Sequence, residues 1–163
     1  MEKHIVLRDV LRPVLTKLSE PEWLAFFLSA LSGGFHPTLP KKFALKPQQR
    51  SELEDLVASY RSLEDERDTL ASMEHVQKLM DMFPLGNMTQ QTAANRAEGY
   101  LISLEHLPSW AVGKACERWL RAEAGEQNYS FAPTAPQLCG IAKEVLAGFR
   151  ARRRRIEHLL EAK

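Results

Sequence analysis

Residues 104–138 decide how this chain folds, and they read LEHLPSWAVGKACERWLRAEAGEQNYSFAPTAPQL. Pro108 marks a sharp break between two helices, because proline lacks a backbone N–H and cannot continue a helix. The helix predicted after the break, over 109–123, carries Trp110 and Trp119 on an apolar face. These residue choices are typical of packing and of helix ends, and no recognisable catalytic group lies among them.

The end of the same stretch holds a signal for a further helix. Thr134 and Gln137 form a capping box, in which the threonine hydroxyl accepts a backbone N–H and the glutamine reaches back. Pro136 fits the first turn, where its missing N–H costs nothing. The last helix is therefore predicted over about 135–160, and we expect Tyr129 and Phe131, in the loop before it, to fold back on the core.

Apolar residues elsewhere recur at helical spacing, and no segment shows the alternation of a strand. The predicted fold class is all-α, a compact bundle of about five to seven helices. We divide it into an N-terminal helical hairpin (1–34) packed on the core, a proline-rich connector (35–47) and a helical domain (48–163). The last part of this domain is a three-helix unit over about 89–160. Thr89 is expected to cap its first helix, over about 90–106. The predicted buried face of that helix is Ala93, Ala97, Tyr100, Leu101 and Leu104.

The N-terminal part contains a helix predicted over about 20–32, and Ser19 is expected to cap it as part of a capping box with Glu22. This helix is apolar on most sides, and such a helix is either central to a core or covered by a partner. Its aromatic side chains are candidate partner-binding residues: Trp23, Phe26 and Phe27.

Residues 48–82 contain no glycine and no proline, and an apolar stripe follows them except across the acidic sequence between Leu63 and Leu70. Two arrangements stay open, which are one long helix that crosses solvent at this point and two helices that meet there. A long helix with an acidic middle is typical of a coiled-coil arm, through which the chain could dimerise. A solvated face on an ordinary helix is the other interpretation.

Composition bounds the function. The 163 residues are 44% hydrophobic and 26% charged, which is ordinary for one soluble domain, and the net charge of +1 predicts no polyanionic partner. Cys116 and Cys139 lie far apart at apolar positions, so we expect both to be buried thiols. Nothing resembles a signal peptide, and no apolar run is long enough to span a membrane, so we expect a cytoplasmic protein.

The sequence carries no recognisable catalytic or metal-binding motif. The five histidines are scattered, and none stands in an H-x-x-x-H or H-E-x-x-H pattern, so no metal site is predicted. No phosphate-binding G-x-x-x-x-G-K-S/T loop occurs. We therefore predict a protein without catalytic residues and without a cofactor, which is not an enzyme.

Five arginines close to the C-terminus are the sharpest functional candidate: Arg150, Arg152, Arg153, Arg154 and Arg155. On a helix these side chains wrap around the axis instead of forming one stripe. As a nucleic-acid contact they would neutralise phosphates and bind DNA in a salt-dependent way. The alternatives are a solvated last turn, where cations suit the helix dipole, and pairing with the acidic stretch 52–68 within or between molecules.

The second half of the chain resembles a group of short phage and prophage proteins. The pattern is a small helical pair, an L-P turn, an A-x-x-x-W helix and an F-x-P-T loop ahead of a long arginine-rich helix. It is similar to the helical domain of phage replicative-helicase loader and inhibitor proteins. The matching residues are Tyr100, Leu104, Leu107, Pro108, Ala111, Ala115, Trp119, Phe131, Pro133, Thr134 and Leu138.

The resemblance implies a role in DNA replication. We expect an adaptor that binds a replicative helicase or another replisome protein, as a loader or as an inhibitor. The alternatives are a DNA-binding regulator that uses the arginine-rich helix and a self-assembling helical structural protein. The similar part covers under half of the chain and leaves residues 1–90 unmatched.

Overall fold

The computed structural model describes residues 18–31, 38, 40, 43–84 and 86–162, and within them the fold is all-α, as predicted. Six helices occur in these residues: α1 Glu22–Ala30, α2 Pro47–Glu64, α3 Thr69–Met80, α4 Gln90–Leu104, α5 Ser109–Leu120 and α6 Ala135–Glu161. None of them is both long enough and apolar enough to cross a membrane. Residues 1–17 and 32–34 of the predicted N-terminal hairpin lie outside the described residues.

Short polar caps set the starts of three helices. Thr89 accepts the backbone N–H three residues further on at 3.1 Å and so begins α4. Thr134 does the same for α6 at 3.3 Å, and Gln137 returns a bond to the Thr134 N–H at 2.8 Å, which completes the predicted capping box. Asp68 caps α3 through a bond of 3.0 Å.

The capping box predicted at Ser19 does not form. Helix α1 begins after Pro21, which has an extended backbone and offers no side-chain cap. Ser19 is exposed, and its neighbour Glu20 is bonded to Tyr60 and Arg152. Bonds to distant helices therefore fix the segment before α1, in place of a local cap.

The stretch that the sequence predicts as one long helix or two is two helices. Helix α2 ends at Glu64 and α3 begins at Thr69. Asp68 favours the break, because its carboxylate accepts a backbone N–H at the start of α3. Glu64, the first residue of the acidic sequence between Leu63 and Leu70, is buried and not part of a solvated face, since it is only 8% exposed.

Two apolar clusters form the core, and α6 belongs to both. The larger cluster is built by α3, α4, α5 and the first half of α6. The smaller cluster joins α1 and α2 to the end of α6 through Leu24, Leu28, Leu53, Leu56, Val57, Tyr60, Ile156 and Leu159. Phe149 bridges the two, because its ring centroid lies 4.5 Å from that of Tyr60 and 4.6 Å from that of Trp110.

Helix α5 lies within the larger cluster, as its tryptophans predict. Trp110, Trp119 and the preceding Pro108 are buried, in agreement with the predicted break. Trp119 Nε1 donates to the Phe131 carbonyl at 3.2 Å. The Phe131 ring is 67% exposed, however, so the expectation that it folds back on the core is wrong. The same expectation is confirmed for Tyr129, which packs against the larger cluster with its ring centroid 4.9 Å from that of Trp119.

Candidate functional site

The arginine run lies in the C-terminal part of α6, and most of its guanidinium groups have partners inside the molecule. Arg153 Nε donates to Glu64 at 2.6 Å, and its Nη1 donates to Glu157 at 2.7 Å. Arg150 Nε donates to the other Glu64 oxygen at 3.2 Å. Arg61 donates to Glu157 at 2.8 Å. These five side chains form one network of alternating charge between α2 and α6, which we call the ion network.

Arg152 is bound to a different carboxylate. It donates two hydrogen bonds to Glu20, at 3.1 and 2.7 Å, and Glu20 also accepts a bond from the Tyr60 hydroxyl. The bond from Arg152 lowers the pKa of Glu20, although burial opposes it. Burial and the adjoining Glu20 carboxylate raise the pKa of Tyr60. This group of side chains ties the segment before α1 to both α2 and α6.

The two remaining arginines of the run differ from each other. Arg155 Nη2 donates to the Leu28 carbonyl at 2.8 Å, near the end of α1. Arg154 is exposed and makes no hydrogen bond or ion pair within the part of the chain that the structure describes. Two arginines of the run, Arg150 and Arg153, thus pair with the acidic stretch 52–68 through Glu64. The run as a whole is not a free basic stripe.

The acidic loop between α2 and α3 supplies the cap of α5. One Glu66 oxygen accepts the Ser109 N–H at 2.8 Å, and the other accepts the Ser109 hydroxyl at 2.6 Å. Beside them, Trp110 Nε1 donates to the Leu63 carbonyl at 2.8 Å. No local sequence signal predicts this cap, because Glu66 and Ser109 are 43 residues apart.

Both cysteines are buried, as predicted. Cys116 is 1% exposed, and burial raises its pKa to about 12, so it carries no nucleophilic thiolate at neutral pH. Cys139 is 8% exposed. Among the described residues, no three His, Cys, Asp or Glu side chains are grouped so that they could hold a metal ion.

One histidine is buried between α3 and α5. His75 is 4% exposed, and its Nδ1 has no hydrogen-bond partner in the described residues. Burial lowers the pKa of His75, which favours the neutral imidazole. Its ring lies against Gly113, where an added Cβ would come within 2.8 Å of Nε2. The absence of a side chain at Gly113 therefore allows this close approach of the two helices.

The aromatic candidates for partner binding lie on α1. The ring centroids of Trp23 and Phe27 are 5.3 Å apart, and those of Phe26 and Phe43 are 5.1 Å apart. Trp23 and Phe27 are partly buried against the smaller cluster. Phe26 is 61% exposed, so it is the most accessible of the three candidates.

A groove between α3 and α4 has a lining rich in methionine. Its volume is about 160 Å³, and it is lined mainly by Met73, Met80, Met88, Ala93, Ala97 and Tyr100. The sequence predicts a buried α4 face that includes Ala93 and Ala97, but both are exposed, and α4 buries only Tyr100 and Leu104. The first two turns of α4 are thus left open, because the helix packs on the core through its C-terminal half.

Comparisons with known proteins identify no family for this chain. No family model, no curated protein and no solved structure matches it significantly. What bears on function is therefore the geometry of the described residues, together with the pattern in the second half of the sequence.

Proposed function

We propose that this protein is a non-enzymatic adaptor that binds another protein through its helical surfaces and acts in phage or prophage DNA replication. The partner is a replicative helicase or another replisome protein, whose loading the adaptor promotes or blocks. The observation that carries the proposal is the open methionine-lined groove between α3 and α4.

Exposed apolar side chains also occur outside this groove. Leu70 in α3 is 73% exposed, Ile102 in α4 is 63% exposed, and Met82 after α3 is 50% exposed. Single exposed apolar residues are ordinary on any protein surface. A groove between two helices that leaves Ala93 and Ala97 uncovered is more specific, because apolar concavities of this kind are typical of binding sites.

The pairing of the arginine run supports binding to a protein in preference to binding to DNA. Glu64 and Glu20 engage three arginines of the run, and a backbone carbonyl engages a fourth. Non-specific DNA binding requires a basic stripe that is free to meet phosphates. Arg154 is the one member of the run without a partner among the described residues.

The replisome partner rests on the resemblance of the second half of the chain to helicase loader and inhibitor proteins. The matching residues specify helix ends and a core. The Tyr100 hydroxyl, for example, donates to the Pro133 carbonyl, and Thr134 caps α6. Such contacts support a similar scaffold, while the choice of the helicase as partner is the part that an experiment has to test.

The test mixes the purified protein with the replicative helicase of the host bacterium at about 10 μM, where interactions of micromolar affinity are occupied. We expect size-exclusion chromatography with light scattering to reveal a complex of added mass. Elution of two unchanged species would exclude the helicase as partner. Unwinding assays with the complex then separate a loader from an inhibitor.

The two alternatives are tested with the same preparation. A mobility shift on DNA at low salt that is lost in Arg154→Ala would favour the DNA-binding regulator. This variant leaves the contacts of the other four arginines in place. Light scattering of the protein alone tests the self-assembling protein, for which a mass above that of one chain is expected. We expect no mobility shift on DNA, and we expect light scattering to give the mass of a single chain.

A further inference from the structure

We propose that the groove between α3 and α4 receives one amphipathic helix of the partner protein, and that a carboxylate on this helix pairs with Arg96. The inference rests on the proposed adaptor function and assigns its contact surface. It concerns a surface that neither the arginine run nor the aromatic residues of α1 contribute to.

The size and lining of the groove favour a helix over a small molecule. Pockets for drug-sized ligands have volumes of about 300–1,000 Å³, whereas this groove has a volume of about 160 Å³. That space suits the apolar anchors of a docked helix, which project at i, i+3, i+4 and i+7 spacing. Met73, Met80 and Met88 line it, and flexible thioether side chains adapt to the shape of an incoming apolar side chain.

The α4 wall of the groove continues a packing face that the molecule itself covers only in part. Tyr100 and Leu104 are buried, whereas Ala93 and Ala97, one and two turns earlier, are exposed. Small side chains at four-residue spacing let a second helix approach closely. The described residues place no helix over these two turns.

Arg96 gives the groove its charge and indicates the chemistry of the occupant. Its guanidinium group contacts the thioether sulfurs of Met80 at 3.8 Å and of Met88 at 4.0 Å. It also lies beside the Tyr100 hydroxyl, where it opposes the rise that burial causes in the pKa of Tyr100. All three neighbours are neutral, and no carboxylate of the described residues pairs with Arg96.

This setting differs from that of the paired arginines of α6, where Arg150, Arg152 and Arg153 each donate to a carboxylate at 3.2 Å or less. A guanidinium group beside an apolar groove is best satisfied by a carboxylate, which accepts two parallel hydrogen bonds from it. The partner helix therefore carries Asp or Glu beside its apolar anchors.

A second copy of this chain is a poorer occupant. A symmetric dimer through this groove would use the same patch on both chains. It would bring two Arg96 side chains to the same apolar contact, where like charges repel. Charge complementarity thus favours an acidic helix of a different protein.

The test uses the full chain with labelled methionine methyl groups, whose signals are assigned by replacing one methionine at a time with leucine. The probes are two synthetic helical peptides of about 16 residues. Both carry leucines at i, i+3, i+4 and i+7 spacing, and they differ only in glutamates or lysines beside the leucines. We expect the glutamate peptide to shift the signals of Met73, Met80 and Met88, and to leave that of Met82, which does not line the groove, unchanged.

Matched variants identify the contact. Arg96→Glu is expected to weaken the glutamate peptide at least about tenfold, because a charge-assisted hydrogen bond is lost and a repulsion is added. Ala97→Glu should block the groove, while Ala94→Glu, also exposed on α4 but outside the groove, should bind as the unchanged protein does. Arg154→Glu is the charge control, since it makes the same change in net charge on α6.

Equal affinity for the two peptides, or equal binding by Ala97→Glu and Ala94→Glu, would overturn the inference. So would the same methyl shifts on raising the protein concentration alone, because they would indicate a second copy as occupant. A complex with the helicase that is insensitive to Arg96→Glu would leave the adaptor function standing and exclude the groove. Peptide binding without a helicase complex would keep the groove and exclude the helicase.

Discussion

Replacement of Glu64 by glutamine tests the ion network between α2 and α6. Glu64 is 8% exposed, and its two oxygens accept hydrogen bonds from Arg153 at 2.6 Å and from Arg150 at 3.2 Å. Glutamine keeps the shape of the side chain but removes its charge, and it turns an N–H₂ group toward one of the two guanidinium groups. Among the described residues, Arg153 then keeps one carboxylate partner, Glu157.

The expected cost lies between two limits. Removal of one partner from a fully buried ion pair costs about 3–5 kcal/mol, and an exposed pair contributes only about 0–1 kcal/mol. The Arg153 side chain is 16% exposed, whereas that of Arg150 is 45% exposed. We therefore expect the free energy of unfolding to fall by about 2 kcal/mol, which corresponds to a Tm about 4–8 °C lower for a chain of this length.

Urea unfolding followed by circular dichroism measures this change, and urea is chosen because guanidinium chloride would screen the charges. The control is Glu54→Gln, which removes an exposed carboxylate from the same helix and should change the free energy by less than about 0.5 kcal/mol. If Glu64→Gln also stays within about 0.5 kcal/mol of the unchanged protein, the ion network does not stabilise the fold.

Three other perturbations test the core. Burial lowers the pKa of His75, so the imidazole takes up a proton in the unfolded chain at a higher pH than in the folded one. The free energy of unfolding should therefore fall as the pH drops below about 6.5. In urea titrations at several pH values, His75→Gln should lose this part of the pH dependence. Gly113→Ala should lower the free energy of unfolding by about 1–3 kcal/mol, because its Cβ would lie 2.8 Å from His75 Nε2. The control is Gly99→Ala, whose Cβ would have no atom within 4 Å, and thermal melts should show it to be neutral or stabilising. The Cys116 thiol, buried and with its pKa raised to about 12, should react with a thiol reagent only after urea unfolds the protein, and rapid reaction in the native state would contradict its burial.

Helix ends were open to prediction wherever their physics lies within a few residues. Thr89 and Thr134 find their hydrogen-bond donors three residues away, so the sequence pattern contains the whole interaction. Ser19 shows the same type of pattern, but its neighbour Glu20 has a stronger partner in Arg152, which is 132 residues away. The distant ion pair overrides the local signal.

The partners of the arginine run could not be predicted from the sequence. Arg150 and Glu64 are 86 residues apart, and their contact depends on how α2 and α6 cross. Helical periodicity indicates which face a side chain occupies, but not which other helix meets that face. One of the alternatives for the arginines is pairing with the acidic stretch 52–68, which contains Glu64. The sequence does not indicate which acidic residue of that stretch they meet.

The sequence also does not reveal that the first two turns of α4 are left open. A stripe that includes Ala93, Ala97 and Tyr100 predicts an apolar face, and the face is present. Whether it is covered depends on the length and position of neighbouring helices, which the stripe does not contain. The groove and the position of Arg96 in it follow only from the tertiary structure.

The cap that Glu66 provides for Ser109 has a consequence for the kinetics of folding. The first turn of a helix is the costly step in its formation, and α5 receives the bonds for that turn from a loop 43 residues earlier. Closure of so long a loop slows the step that depends on it. Helix α5 is therefore expected to become stable only after the loop between α2 and α3 has docked against its first turn, which links its folding to that of the preceding part of the chain.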